Sequence, residues 1–253
     1  MDSTIIQYYD NYNEDGRLFK DNTHRIEWLT TMKYFKELIP ANSYIFDGCA
    51  GTGHYAFELA SLGHRVVASD IVPHNVSIIE EKQNSNCQLE EVYVGDICNI
   101  SRYKQEVFDV VLCMGAFYHI NAEAQMKAFK ECLRVLKTGG LLVISYINNM
   151  AVISKSITEK LENMDMILNN YEARTLDNIF RYMTPNEMET MSVENNTKIV
   201  KHISANGMFY LNSSKINEAT EENFKKYMQL HFNTCEDKSL LGYSLHGLLF
   251  LQK

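Results

Sequence analysis

The sequence lacks any apolar run that approaches the roughly 20 residues needed to cross a bilayer. The N-terminal residues Met1 to Thr4 are neither basic nor followed by an apolar stretch, so no secretion signal is indicated. Internal repeats, low-complexity segments and linkers are also missing from the 253 residues. We therefore expect one domain spanning residues 1–253, located in the cytoplasm, with no membrane partner.

Basic residues are scarce and scattered. Lys and Arg number 24 against 32 Asp and Glu, the formal net charge is −8, and no segment is rich in Lys or Arg. Nucleic-acid binding generally needs a basic face that neutralises phosphates. The composition therefore disfavours a nucleic-acid partner.

The cysteines form no C-x-x-C pair. There are six of them, at positions 49, 87, 98, 113, 132 and 235, and Cys49, Cys113 and Cys132 lie inside apolar segments. Disulfide frameworks and metal sites usually show paired spacing. We therefore predict structural thiols in a reducing cytoplasm, with no disulfide and no metal site.

A strand, a tight loop and a helix are indicated between residues 43 and 62. An apolar run ends at Asp47, a small-residue turn follows from Gly48 to Gly53, and an amphipathic run leads to Leu62. Glycines let a ligand approach the main chain closely, and a new helix offers free N–H groups to an anionic group. This stretch predicts a loop that holds a nucleoside-type cofactor.

Two interpretations of the loop remain open at this point. The run Gly51 to Ala56 satisfies the dinucleotide pattern G-x-G-x-x-G/A, which would suit an NAD(P)-dependent oxidoreductase. Dinucleotide sites usually keep the end of the first strand apolar, whereas this chain places Asp47 there. The rest of the chain has to distinguish the two.

Further strands end in polar residues or small loops. A second strand closes on Asp70, which lies 23 residues after Asp47, close to the roughly 20 expected for an acid that binds ribose. A third strand ends in Gly95-Asp96-Ile97, and a fourth runs into Met114 to His119. Because helical segments separate these strands, we predict a doubly wound, mostly parallel sheet.

The pattern changes after a fifth, apolar strand at residues 141–147. Residues 149–183 look helical, and Thr184 to Glu187 resembles a helix start. Strand signals at 197–205 and 243–251 predict an antiparallel pair at one edge of the sheet.

Taken together, these strand ends resemble those of class I S-adenosylmethionine-dependent methyltransferases, most firmly over residues 40–147. The first motif of that family is usually D-x-G-x-G-x-G, so Cys49 stands where its first glycine is expected. The resemblance implies an α/β fold, a Rossmann-like seven-stranded sheet in the order 3-2-1-4-5-7-6 with strand 7 antiparallel, and helical insertions. It also implies S-adenosyl-L-methionine as the cofactor.

The resemblance implies roles for individual residues. Asp70 corresponds to the ribose acid, and Asp96 with Ile97 corresponds to the pair that holds adenine. The segment containing Tyr9 and Arg17 is similar to a subgroup of small bacterial methyltransferases that mostly act on small molecules. The cofactor-binding residues expected on these grounds are Tyr9, Arg17, Asp47, Cys49, Gly51, Gly53, Asp70, Ile71, Asp96, Ile97, Met114 and Gly115.

The additions to the common core predict where the acceptor binds. We expect residues 1–39 to form a lid and helix, residues 40–147 the cofactor core, and residues 148–183 and 206–241 substrate-side insertions. The fourth strand ends in Cys113 to Ala116 and lacks the N-P-P-Y or D-P-P-Y sequence of enzymes that methylate nucleobases or glutamine. This favours a small-molecule acceptor.

His119 is the candidate catalytic residue, as a base or as a group that orients the acceptor. A loop histidine bonded to backbone is the alternative. The candidate substrate-binding residues are Tyr118, Tyr146, Arg181 and Tyr182. A regulatory subunit that binds S-adenosylmethionine without turnover also remains open, and we expect a monomer or a homodimer.

Overall fold

The computed structural model describes residues 3–84, 88–177, 179–208 and 210–253. Within these ranges the centre of the molecule is one sheet with seven strands. The strands are β1 (Tyr44–Asp47), β2 (Arg65–Asp70), β3 (Glu91–Val94), β4 (Phe108–Met114), β5 (Leu136–Ile147), β6 (Lys198–Ser204) and β7 (His246–Gln252).

The strand order in this described part is β3-β2-β1-β4-β5-β7-β6. Strands β1 to β5 pair in parallel, and β7 lies antiparallel between β5 and β6. The predicted order and the antiparallel strand 7 are therefore confirmed. Because parallel strands end at the same edge, Asp47, Asp70, Val94 and Met114 come together there.

Helices connect the strands and flank the sheet. They are α1 (Ser3–Asp10), α2 (Asn22–Leu38), α3 (His54–Ser61), α4 (Pro73–Lys82), α5 (Ala122–Val135), α6 (Asn149–Lys160), α7 (Met164–Ala173), α8 (Pro185–Glu194), α9 (Ser213–Asn217) and α10 (Glu221–Thr234). In the described ranges none of them is both long and apolar enough to cross a membrane.

Both faces of the sheet are buried, as its apolar strands require. Alternate residues of β4 point to opposite faces. Val110 and Leu112 pack with residues of α2, α3 and α4, whereas Val111 and Cys113 pack with residues of α5 and α8. The sheet therefore holds its strand ends rigidly at the edge where β1 to β4 terminate.

Two elements differ from the prediction. Strand β5 begins at Leu136, before the predicted start at residue 141, because Leu136 already pairs with Phe108 ahead of an irregularity in the register. At the N-terminus, helix α1 forms although the polar and aromatic segment beginning at Tyr8 showed no periodicity. It is held by burial of Ile5, which is 7% exposed. The start of α8 was predicted correctly, with a capping box between Thr184 and Glu187.

Candidate cofactor and acceptor site

A cavity with about 710 Å³ of empty space, including its open mouth, lies at the edge where β1, β2, β3 and β4 end. The predicted site residues that line it are Tyr9, Arg17, Cys49, Gly51, Asp70, Ile71, Asp96, Ile97, Met114, Gly115, Tyr118 and His119. The N-terminal segment therefore shares one cavity with the strand ends.

Glycines bring the main chain close to this cavity. Gly51 has φ +54°, and a Cβ there would lie 3.5 Å from the Glu14 side chain. Gly115 has φ +142°, and a Cβ there would lie 3.5 Å from the Tyr118 hydroxyl and 3.8 Å from Cys49 Cβ. At both positions a side chain would narrow the space that a ligand needs.

Asp70 anchors the loop while facing the cavity. Its Oδ2 accepts a hydrogen bond from the Gly51 amide at 2.8 Å, and its Oδ1 accepts from the Val72 amide at 2.9 Å and from Asn75 Nδ2 at 3.2 Å. Burial raises the pKa of this carboxyl to about 6, although these hydrogen bonds favour the ionised form. Oδ1 already accepts two hydrogen bonds, whereas Oδ2 accepts one and keeps an acceptor position for a ligand hydroxyl such as that of a ribose.

Asp47 and Gly53 lie outside the cavity wall and support the loop from beneath. Asp47 is 2% exposed, and its carboxylate accepts a hydrogen bond from the Cys49 amide. Burial, and to a smaller extent the negative charge of Asp70, raises the pKa of Asp47 to about 7. Gly53 caps α3 with φ +86°, and a Cβ there would lie 3.0 Å from Ile79.

The residues after β3 form another wall of the cavity. Asp96 accepts a hydrogen bond from the Cys98 amide at 2.8 Å through its Oδ1, which fixes the orientation of the carboxylate. Ile97 is 6% exposed, and its side chain lies against Gly48, where a Cβ would collide with it. A carboxylate beside an apolar side chain suits the amino edge and the face of an adenine ring.

The N-terminal wall holds a charge cluster that the sequence did not reveal. Arg17 pairs with Glu14 at 2.9 Å between Nε and Oε1, and with Glu27 at 3.1 Å between its terminal nitrogen and Oε2. Although burial alone would raise it, the charge of Arg17 lowers the pKa of Glu27 to about 2. Burial raises the pKa of Glu14, which lines the cavity. Arg17 is one of the predicted cofactor-binding residues, and in this structure its guanidinium binds two protein carboxylates.

Tyr9 and His119 contact each other in the wall of the cavity. The Tyr9 hydroxyl lies 2.8 Å from His119 Nε2, and His119 Nδ1 lies 3.0 Å from the carbonyl oxygen of Ile179. The ring of Phe180 lies 5.0 Å from that of His119, measured between centroids. Burial lowers the pKa of His119, so the neutral ring is favoured.

Of the residues predicted to bind the acceptor, the structure places Tyr118 in the cavity wall. Tyr182 is buried in an apolar cluster beside Tyr118. Arg181 contacts Tyr118 through the main chain: the Arg181 amide donates a hydrogen bond to the Tyr118 carbonyl oxygen, at 2.8 Å. Tyr146 does not line the cavity: it is buried in the core, and its hydroxyl lies 2.8 Å from His202 Nε2.

The lining residues that were not among the predicted site residues are Ile5, Glu14, Gly48, Val72, Asn75, Gly95, Ala116 and Ile120. Glu14 had a signal in the sequence, because it stands three residues before Arg17 in the segment similar to the bacterial subgroup. In the described part of the chain no group of His, Cys, Asp and Glu could hold a metal ion. The cysteines described there are unpaired, and Cys87 lies outside the described residues.

Residues 46–144 match a family model described as a methyltransferase domain. A glycine/sarcosine N-methyltransferase from Aphanothece halophytica is 29% identical over 119 residues, which cover 46% of this chain and 44% of that protein. The chain therefore matches less than half the length of this curated relative.

Solved structures share the fold over most of the chain. A methyltransferase from Thermotoga maritima, described as S-adenosylmethionine-dependent and as a possible histamine N-methyltransferase, superposes with a TM-score of 0.64 at 18% identity, covering 97% of both chains. An S-adenosylmethionine-dependent methyltransferase from Methanosarcina mazei superposes with a TM-score of 0.58 at 16% identity, covering 87% of this chain and 96% of that one. At these identities the likeness shows the fold.

The sheet order, the glycine loop and the matched domain define a class I S-adenosylmethionine-dependent methyltransferase. The stretch that matches the methyltransferase-domain model, residues 46–144, contains the glycine loop and the ends of β1 to β4. The cofactor of this class is S-adenosylmethionine, and the residues of the cavity suit it, because the backbone at Gly51 and Gly115 lines the same cavity as the carboxylates of Asp70 and Asp96. The match favours this class over the NAD(P)-dependent oxidoreductase.

Proposed function

We propose that this chain transfers a methyl group to a small-molecule acceptor. The observation that carries the proposal is the single cavity in which Tyr9 and Arg17 meet Asp70, Asp96 and Gly115. Bound S-adenosylmethionine supplies a methyl group on a positively charged sulfur, so the donor is already activated. The protein then has to position the acceptor and exclude water.

Each part of the cofactor has candidate partners among the lining residues. Asp70 would accept hydrogen bonds from the ribose, and Asp96 with Ile97 would hold the adenine. The loop at Gly51 and the side chain of Arg17 would hold the methionine part. To do so, the Arg17 guanidinium would have to bind the methionine part while it stays paired with the carboxylates that it binds in this structure.

The acceptor that we propose is small and neutral or cationic. Three carboxylates, Glu14, Asp70 and Asp96, line the cavity beside one guanidinium, that of Arg17. Such a balance disfavours an anionic acceptor. The relative from Aphanothece halophytica is named for glycine and sarcosine, and the structure from Thermotoga maritima for histamine, all of which are small amines.

The flanking segments would cover the acceptor. Residues 1–39 supply Tyr9 and Arg17 to the cavity wall, which supports a lid. Residues 148–183 reach the same end through Phe180, whose ring lies 5.0 Å from that of His119. We also propose a cytoplasmic monomer or homodimer, and the buried, unpaired thiols in the described residues support a reducing compartment.

Calorimetry followed by a turnover screen tests the proposal. Calorimetry should show binding of S-adenosylmethionine and of its demethylated product, and no appreciable binding of NADH. The screen would then follow product release with small amines and other metabolites, nucleic acids and bulk protein as acceptors. Methylation of RNA or protein with none in the small-molecule set would contradict the acceptor class. Tight cofactor binding with no turnover on any acceptor would favour the regulatory subunit.

A further inference from the structure

The hydrogen bonds of His119 define its tautomer. The Ile179 carbonyl oxygen, 3.0 Å from Nδ1, can only accept a hydrogen bond. In the neutral ring Nδ1 therefore carries the hydrogen and Nε2 carries the free electron pair. The Tyr9 hydroxyl, 2.8 Å from Nε2, is then the donor of that second hydrogen bond.

Tyr9 and His119 both line the cavity, and the Tyr9 hydroxyl covers the ring nitrogen of His119 that carries the free electron pair. The lone pair of His119 Nε2 is already occupied by the Tyr9 hydrogen, so His119 cannot take a proton from an acceptor directly. The Tyr9 oxygen retains its own acceptor capacity, and Tyr9 lines the cavity. The group that meets the acceptor at this end is the phenol.

We propose that Tyr9 is a catalytic residue that receives the proton of the acceptor while its own hydroxyl proton passes to His119 Nε2. The inference rests on the proposed function. The bond between the acceptor atom and the methyl group forms as the methyl–sulfur bond breaks, and the sulfonium charge is lost. An N–H or O–H bond of the acceptor breaks, an O–H bond re-forms on Tyr9, and an N–H bond forms on His119. One positive charge is therefore present before and after the step.

The surroundings suit this transfer. Burial raises the pKa of Tyr9 well above its ordinary value, so the phenol stays protonated until His119 draws its proton away. The imidazolium that forms keeps its hydrogen bond to the Ile179 carbonyl and gains from the nearby carboxylate of Asp177. Other charged or titratable groups near this pair are Tyr8, Tyr12, Tyr118, Glu14, Arg17 and Asp70.

The proposal narrows the acceptor class and links chemistry to the N-terminal helix. An acceptor that needs this pair carries a removable proton on nitrogen or oxygen when it binds. Tyr9 lies on α1 and His119 follows β4, so the pair exists only while α1 is packed on the core. An opened N-terminus would leave His119 without its partner.

The first test needs no acceptor. Nitrogen-15 NMR of labelled protein should show His119 with its hydrogen on Nδ1 and with a hydrogen-bonded Nε2. Tyr9→Phe should lose the signature of the Nε2 hydrogen bond, whereas the control Tyr8→Phe should keep it. A hydrogen on Nε2 in the wild-type protein would overturn the proposed direction of proton transfer.

The second test uses an acceptor found in the turnover screen. Tyr9→Phe and His119→Asn should each lower kcat by roughly 10²–10⁴, with cofactor affinity within about threefold of wild type, and Tyr8→Phe should leave kcat unchanged. The wild-type rate should fall as the pH drops through the pKa of His119, and this acid limb should vanish in Tyr9→Phe. A Tyr9→Phe enzyme with wild-type kcat overturns the relay alone. Failure of every acceptor contradicts the proposed function and the relay with it.

Discussion

The carboxylate of Asp70 accepts a hydrogen bond from the backbone amide of Gly51, with 2.8 Å between Oδ2 and nitrogen. This bond ties the end of β2 to the loop that follows β1. The same carboxylate lines the cavity, so one side chain both shapes the glycine loop and offers a hydrogen-bond acceptor to a ligand. The proposed contact with the ribose and the geometry of the loop therefore depend on the same side chain.

Asp70→Asn should weaken cofactor binding about 10- to 100-fold, since hydrogen bonds to a charged group are worth about 1.5–3 kcal/mol. The amide keeps one oxygen acceptor and presents a donor where the second carboxylate oxygen stood. Isothermal calorimetry with S-adenosylmethionine measures the change. Asp109→Asn is the matched control, because Asp109 pairs with Lys137 away from the cavity and should bind cofactor normally. Unchanged affinity in Asp70→Asn would show that Asp70 does not touch the ribose.

Asp47→Asn should stabilise the protein above neutral pH. Burial raises the pKa of Asp47 from 3.8 to about 7, so the folded state holds this proton more tightly than the unfolded chain does. The protonated carboxyl of Asp47 stabilises the folded state most when the pH is below the pKa that Asp47 has in the unfolded chain. This stabilisation is lost as the pH rises towards about 7, the pKa of Asp47 in the folded state. The substitution should remove this loss and raise the free energy of unfolding by roughly 2–4 kcal/mol, since one pKa unit corresponds to about 1.4 kcal/mol.

Urea denaturation of wild type and Asp47→Asn across this pH range measures that effect. Asp109→Asn should act in the opposite direction. Partial burial alone would raise the pKa of Asp109, but hydrogen bonds from Lys137 and the Tyr44 amide lower it. Removing the Asp109 charge should therefore lower the free energy of unfolding. A wild-type stability that does not fall with rising pH would contradict a protonated Asp47.

Arg17→Met should lower the free energy of unfolding by about 3–5 kcal/mol, because removing one partner leaves buried charges uncompensated. The charge left most buried is that of Glu27, which is 9% exposed. Adding Glu27→Gln to Arg17→Met should recover much of the loss. The depressed pKa of Glu27 also predicts that wild-type stability falls as the pH drops from 4.5 towards about 2.

Thermal and urea denaturation compare these variants with Lys36→Met. Lys36 pairs with Glu58 at 3.5 Å, and the two side chains are 53% and 36% exposed, so this loss should stay below about 1 kcal/mol. An equally small effect of Arg17→Met would mean that the cluster around Arg17 is open to solvent.

Removal of residues 1–20 should preserve the core fold and sharply reduce turnover or cofactor affinity. The deletion takes away Tyr9 and Arg17, and with them one wall of the cavity. Trp28, the single tryptophan, stacks on Tyr55 with 5.0 Å between ring centroids and contacts Phe19 edge-on at 5.3 Å. Its fluorescence should therefore change on truncation. Phe19→Leu serves as the control that alters the fluorescence while keeping the lid. A truncated protein with normal turnover and affinity would show that the segment is dispensable.

The mostly parallel sheet and the edge that carries the site were predictable from local patterns, because strands alternate with helices and parallel strands end together. The strand order itself came from the resemblance to the methyltransferase family. The carboxylates Asp70 and Asp96 could be placed because Asp70 ends β2 and Asp96 lies two residues after β3. Gly51 could be placed because close ligand approach requires glycine there.

Side-chain partners could not be read in the same way. Tyr9 reaches His119 across 110 positions, and Arg17 binds Glu27 on α2. Both pairs depend on how α1 and α2 pack on the core, which short-range periodicity does not encode. Tyr146 shows the converse: an aromatic residue near the end of β5 looked suited to a pocket, yet its hydroxyl meets His202 of β6. Whether the side chain of a strand residue points into the cavity or packs against the side chain of a neighbouring strand follows from long-range strand pairing and burial.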